Sequence, residues 1–89
     1  MKKAYNIKVI GKVQGVGFRF YTQKKAGELG VEGFVKNMRD GSVYIEAEAD
    51  LEPIESFVNW VRQGPEWARV DEIKLQEKPV EGLKGFHIK

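Results

Sequence analysis

From Tyr5 to Val13, apolar and polar positions alternate: Tyr5, Ile7, Val9, Gly11 and Val13 fall on one side, Lys8 and Lys12 on the other. A period of two predicts a strand with one buried face. It runs into Gln14-Gly15-Val16-Gly17, a glycine-bearing turn. From Phe18 to about Leu29 the period becomes helical, with Phe18, Tyr21 or Thr22, Ala26 and Leu29 on one face and Gly30 as the stop. Two strands follow, Val31 to Met38 and Ser42 to Ala49, joined across Asp40-Gly41, a dipeptide suited to hairpin turns. In the second of these, Val43, Ile45, Ala47 and Ala49 point one way and Tyr44, Glu46 and Glu48 the other.

Asp50 is a suitable N-cap for a second helix, and Pro53 falls in its first turn, where a missing N–H costs little. Leu51, Ile54, Phe57 or Val58, and Val61 form its apolar stripe, and Gly64-Pro65 ends it. Val70, Ile73 and Leu75 predict a fourth strand, Pro79 to Leu83 a loop, and Phe86 and Ile88 a short closing strand. The order strand, helix, strand, strand, helix, strand predicts an α+β chain. Its plan is a ferredoxin-like two-layer sandwich, βαββαβ, with an antiparallel sheet and two helices on one face. Residues 1–89 are expected to form a single domain, since 89 residues sustain one compact core.

Composition narrows the chemistry. The chain has no cysteine and one histidine, His87, so thiolate catalysis, disulfides and a multi-histidine metal site within one chain are excluded. A net charge of +2 is too small to imply a nucleic-acid partner by itself, and it does not repel a small anion. Neither a secretory signal nor a run long enough to span a membrane is present, and the expected location is the cytoplasm.

The most informative segment is Gly11-Lys12-Val13-Gln14-Gly15-Val16-Gly17-Phe18-Arg19, which joins a strand end, two close glycines and a helix start. Glycines allow successive N–H groups to turn inward as an anion nest, and the helix adds its own free N–H groups. Arg19 lies in the first helical turn, where its charge opposes the helix dipole and so calls for a reason. Its planar guanidinium can hold two phosphate oxygens at once. The segment reads either as a phosphate cradle of neutral amides with one fixed cation, or as a loop that merely turns the chain. It matches neither the Walker pattern nor the dinucleotide fingerprint. In the second segment, Gly33 to Gly41, Asn37 sits near a strand end where asparagine is depleted. Its amide could cap the Asp40-Gly41 turn, or it could aim a water molecule.

Taken together, these segments resemble the acylphosphatase family. Residues 11–19 fit its first motif without a mismatch, and residues 33–43, including Asn37, Gly41 and Val43, fit most of its second. Gly64-Pro65 followed by Ala68-Arg69-Val70 is similar too, so the resemblance spans nearly the whole chain. Two departures are visible: Ala49 stands where the family usually has glycine, and the chain ends at Lys89 without the aromatic end of some relatives. The first predicts only a local adjustment of the bend into the second helix. The second leaves open whether the terminal carboxylate helps orient the arginine.

The resemblance implies hydrolysis of the carboxyl–phosphate bond of acyl phosphates, without metal or other cofactor. It implies that Gln14, Gly15, Val16, Gly17 and Phe18 bind the phosphoryl group through backbone N–H groups, that Arg19 clamps its oxygens, and that Asn37 orients the attacking water. The expected partners are a small acyl phosphate and inorganic phosphate, as product and competitive inhibitor. Neither nucleic acid nor membrane is expected as a partner, and the expected state is a monomer. The alternative is a non-catalytic phosphate- or RNA-binding module on the same plan, although no basic-glycine-aromatic strand motif is present. Elsewhere, His87 is expected to face solvent, Trp60 and Trp67 to lie in the core or at its edge, and Lys24 and Lys25 on an exposed helix face. Thr22 is expected either to brace the loop or to be half-buried. Glu46 and Glu48 are expected on a solvated sheet surface or a helix-covered edge.

Overall fold

The computed structural model describes residues 1–89. Five strands and two helices follow in the order β1 (Lys2–Lys12), α1 (Phe18–Leu29), β2 (Glu32–Asn37), β3 (Val43–Asp50), α2 (Leu51–Gln63), β4 (Arg69–Lys78) and β5 (Phe86–Ile88). The strands form one sheet in the order β4-β1-β3-β2-β5. β1 pairs antiparallel with β3 and β4, and β2 antiparallel with β3.

The expectation of a wholly antiparallel sheet is corrected at one edge, where β5 runs parallel to β2. The reason lies in the strand directions. β3 and β4 both oppose β1, so β2, which opposes β3, also opposes β4. A chain that turns back after β4 and crosses to the far edge therefore arrives parallel to β2. That crossing covers four interstrand steps, about 19 Å. The link from Lys78 to Phe86 reaches about 27 Å when fully extended, so it has limited slack.

One face of the sheet carries the core. Ile7 and Val9 of β1, Val35 of β2, and Val43, Ile45 and Ala47 of β3 are all buried in one cluster with Phe18 and Ala26 of α1 and Ile54, Phe57 and Val61 of α2. Burial of each large apolar side chain favours this arrangement by about 1.5–3 kcal/mol. Only Phe18, Thr22 and Ala26 of α1 are buried, four residues apart, so Thr22 takes the place that Tyr21 could have filled. α1 is flanked by Gly17 and Gly30, both in the left-handed region. Asp50 occupies the N-cap position of α2, but its carboxylate makes no capping hydrogen bond, contrary to expectation. It lies instead 3.7 Å from the Met1 ammonium, because β1 and β3 place Lys2 opposite Asp50.

Trp60 packs at the core edge beside Phe18, as expected, whereas Trp67 is 72% exposed and not a core residue. The segment after Gly64-Pro65 turns along the surface before β4 begins at Arg69, which leaves that ring outside the cluster.

Gly33 sets how closely β2 and β3 approach. Its φ is +143°, and a Cβ there would stand 1.9 Å from the Glu46 carbonyl oxygen. We predict that Gly33→Ala lowers unfolding stability by about 3 kcal/mol. The denaturation midpoint measures this, and an unchanged midpoint would refute the account of the close approach.

Candidate active site

The site begins where β1 stops. Val13 is buried and anchors the chain, and the backbone then enters the left-handed region at Gly15 (φ 75°) and again at Gly17 (φ 77°). Side chains other than glycine rarely adopt these values, so the two glycines permit this abrupt passage from strand to helix. The first helical hydrogen bond runs from Tyr21 N–H to the Gly17 carbonyl, at 3.0 Å. The N–H groups of the preceding turn thus have no intrahelical acceptor. None of the nine backbone hydrogen bonds outside helices and strands is donated by residues 14–20. The loop therefore offers a run of uncommitted donors at the positive end of α1.

Arg19, half-buried in the first turn of α1, donates from Nη1 to the main-chain oxygen of Lys89 at 3.2 Å. It takes part in none of the seven ion pairs, so its charge is not neutralised by a carboxylate side chain. Thr22 Oγ1 donates to the Phe18 carbonyl at 2.7 Å, one turn back, and satisfies a buried hydroxyl within the same helix. It braces α1 itself rather than the loop.

Gly15, Gly17, Arg19 and Asn37 line one cavity of about 220 Å³, with Phe20 and Ile88 among its apolar walls. Asn37 comes from the end of β2, eighteen positions after Arg19 in sequence, and the β1–β3–β2 order brings its strand beside the loop. A larger depression, about 280 Å³, lies between Tyr21, Trp60 and Trp67. Its two lysines are balanced by two glutamates and no residue of the glycine loop lines it, so it lacks the net positive charge of an anion site.

The hydrogen bonds of the β2–β3 turn are made by other residues than Asn37. Asp40 Oδ1 accepts from Ser42 N–H at 2.9 Å and from Ser42 Oγ at 2.6 Å, while Oδ2 lies 2.9 Å from Lys8 Nζ. The Ser42 hydroxyl, then Lys8, then the Ser42 N–H hold the Asp40 carboxyl well below the usual carboxylate range. Gln14 Nε2 donates to two carbonyls of the same turn, Met38 at 2.8 Å and Ser42 at 2.9 Å. Both partners are acceptors, so it is the amide nitrogen that faces the turn. This staple between loop and hairpin was not legible in the sequence, because its partners lie 24 and 28 residues away.

The sequence profile of the acylphosphatase family matches residues 5–88. The chain belongs to the acylphosphatase family. It is 48% identical over 87 residues to the acylphosphatase of Thermotoga maritima, covering 98% of this chain and 97% of that one. The crystal structure of acylphosphatase from Bacillus subtilis superposes with a TM-score of 0.94 at 40% identity, covering 100% of this chain and 99% of that one. A full-length HypF structure contains a similar region, at 32% identity and a TM-score of 0.89, covering 100% of this chain but only 12% of that one. Acylphosphatases hydrolyse acyl phosphates, and this chain is an acylphosphatase enzyme acting on a small acyl phosphate. Its fold is the ferredoxin-like α+β arrangement shared with the solved acylphosphatases. No group of three or more His, Cys, Asp or Glu side chains comes together in a way that would hold a metal ion. No helix is long and apolar enough to cross a membrane.

Two predictions follow from the turn. Gln14→Ala should lower kcat for an acyl phosphate by about 10- to 100-fold through misplacement of the site, with a stability loss of only about 1–2 kcal/mol. Steady-state kinetics beside a denaturation curve separates the two, and wild-type kcat would remove the staple from the account. For Asp40, a carboxyl whose folded pKa is depressed lends stability above its unfolded value of about 4 and loses it as pH falls further. Asp40→Asn should thus be less stable than wild type at pH 7, with the gap narrowing below about pH 4. A gap that persists unchanged in acid would show that the charge is not its source.

Proposed function

We propose that this acylphosphatase cleaves the carboxyl–phosphate bond by in-line attack of one water, with Arg19 and Asn37 as catalytic residues. The phosphoryl group would sit in the loop of Gln14, Gly15, Val16, Gly17 and Phe18, held by backbone N–H groups. Arg19 would clamp its oxygens, and Asn37 would accept from and donate to the attacking water. The observation that carries this reading is that Arg19, Asn37 and the two left-handed glycines line a single cavity.

The chemistry needs little more. As water oxygen bonds to phosphorus, the bond from phosphorus to the carboxyl oxygen breaks, and the electron pair leaves on the carboxylate. Carboxylic acids have pKa values of about 4 to 4.5, so the leaving group departs without a proton from a general acid. The loop and Arg19 offset charge on the equatorial oxygens, while Asn37 fixes the approach of water. The water's protons pass to phosphate and solvent. Phosphate monoesters expel a far more basic alkoxide, for which this site offers neither an acid nor a covalent nucleophile. Selectivity for acyl phosphates over monoesters, independence of metals, competitive inhibition by inorganic phosphate and action as a single-domain monomer complete the proposal.

The test is hydrolysis of benzoyl phosphate in the presence of a chelator, with a phosphate monoester as control. Arg19→Ala should lose at least about 10²- to 10³-fold in rate, the usual cost of a preorganised donor. Arg19→Lys should rescue poorly, since a point charge cannot fork. Asn37→Ala should lose turnover more than phosphate affinity. Wild-type rates at either position would overturn the assignment. A folded protein without turnover would move the reading to a non-catalytic phosphate- or RNA-binding module.

A further inference from the structure

Glu48 is one of the least accessible side chains in the molecule, at 1% exposure, and no cation pairs with it. The two-residue alternation of β3 puts it on the face opposite the core, with Tyr44 and Glu46. It is neither solvated nor covered by a helix, the two situations its sequence position suggested. The link between β4 and β5 covers it. Glu48 Oε2 accepts from Glu81 N–H at 2.7 Å, and Oε1 from Gly82 N–H at 3.0 Å and Leu83 N–H at 3.1 Å. Gly82 is in the left-handed region, at φ 79°, which helps to point successive N–H groups at one carboxylate. A buried carboxylate is costly unless so satisfied, and three donors from one short stretch satisfy it only while that stretch keeps its path.

That path leads to the site. The link ends at β5, a three-residue edge strand paired on one side only. β5 is held by Gly33 N–H to the Gly85 carbonyl (2.8 Å), Lys89 N–H to the Val35 carbonyl (2.9 Å) and Gln23 Nε2 to the Phe86 carbonyl (2.9 Å). So short a strand is not stable by its own pairing. Just beyond it, the main-chain oxygen of Lys89 accepts from Arg19 Nη1, and Ile88 walls the cavity. Besides Glu48, two side chains hold the link: Lys78 pairs with Glu81 in a partly exposed contact, and an exposed His87 Nε2 lies 2.9 Å from the Lys84 main-chain oxygen.

We propose that Glu48 is a positioning residue for acyl phosphate hydrolysis: by gathering the three N–H groups of residues 81–83 it fixes where β5 lies, and so where Lys89 holds the Arg19 guanidinium. This rests on the proposed role of Arg19 in gripping the phosphoryl group. Glutamine at position 48 has one carbonyl oxygen for the Gly82 and Leu83 donors and would set its own NH2 against the Glu81 N–H. Alanine supplies no acceptor. The ordering wild type, Glu48→Gln, Glu48→Ala is therefore expected in activity.

The experiment measures inorganic phosphate affinity by titration calorimetry, and kcat/KM for benzoyl phosphate. It uses wild type, Glu48→Gln, Glu48→Ala, Arg19→Ala and the combinations of each Glu48 change with Arg19→Ala. Val58→Ala, a core truncation in α2, is the stability control. Glu48→Ala should weaken phosphate binding and kcat/KM by about 10-fold, short of the ~10²-fold that a full ångström of misplacement can cost. Glu48→Gln should fall between. Neither change should alter phosphate affinity further once Arg19 is absent, since the effect runs through Arg19. Equal losses with and without Arg19 would overturn the proposal. So would a stability loss with unchanged affinity, as expected of Val58→Ala. If Glu48→Ala does not fold, the same cycle with Glu48→Gln decides. An Arg19→Ala variant that binds phosphate like wild type would unseat the role of Arg19 itself, and this inference with it.

Discussion

Gln14 stands in the loop just after β1 and gives both hydrogens of its amide nitrogen to carbonyls of the β2–β3 turn. Without that bridge, the loop that faces the helix N-terminus and the strand that carries Asn37 would be joined only through the sheet. Hydrogen bonds from a neutral amide are individually modest, about 1 kcal/mol each. Their effect here is geometric: they tie the loop and the β2–β3 turn into one frame. The Asp40 carboxylate completes the frame from the other side, accepting from Ser42 and pairing with Lys8 of β1. Asn37 is thereby free of any duty in the turn.

The same economy governs the backbone. Gly15 and Gly17 take left-handed values where β1 gives way to α1, and both line one cavity with Arg19. An arginine placed against the positive end of a helix is unfavourable in isolation. The Lys89 main-chain oxygen gives it a partner, and an anion between it and the loop would offset the rest. The reaction suits so sparse a site because its leaving group is already a weak base. On the proposed mechanism, positioning and charge stabilisation are sufficient, and no acid, nucleophile or metal would have to be built into 89 residues.

Much of this was legible in the sequence, for local reasons. Alternation and helical spacing depend on neighbouring residues, so the limits of α1 at Phe18 and Leu29 and the start of α2 after Asp50 match the structure. The glycines at positions 15 and 17 were legible as a turn because their conformational freedom is intrinsic. Arg19 and Asn37 stood out because each opposes the preference of its own element, a cation at a helix start and an asparagine in a strand.

What depended on distant parts of the chain was not legible. The direction of β5 follows from the whole strand order, not from residues 86–88. Asp50 spends its carboxylate near Met1, a neighbour far away in sequence, and Trp67 is left on the surface by the path the chain takes from α2 to β4. Glu48 has the alternation of an exposed strand position, and only the crossing of residues 81–83 buries it. The sequence by itself determined the elements, the glycine loop between β1 and α1 and the residue types of the candidate site, because propensity, glycine freedom and charge are local properties. The tertiary structure alone decided which carbonyls Gln14 holds, what covers Glu48 and what braces Arg19, because each is a meeting of segments that only the packed sheet brings within hydrogen-bonding distance.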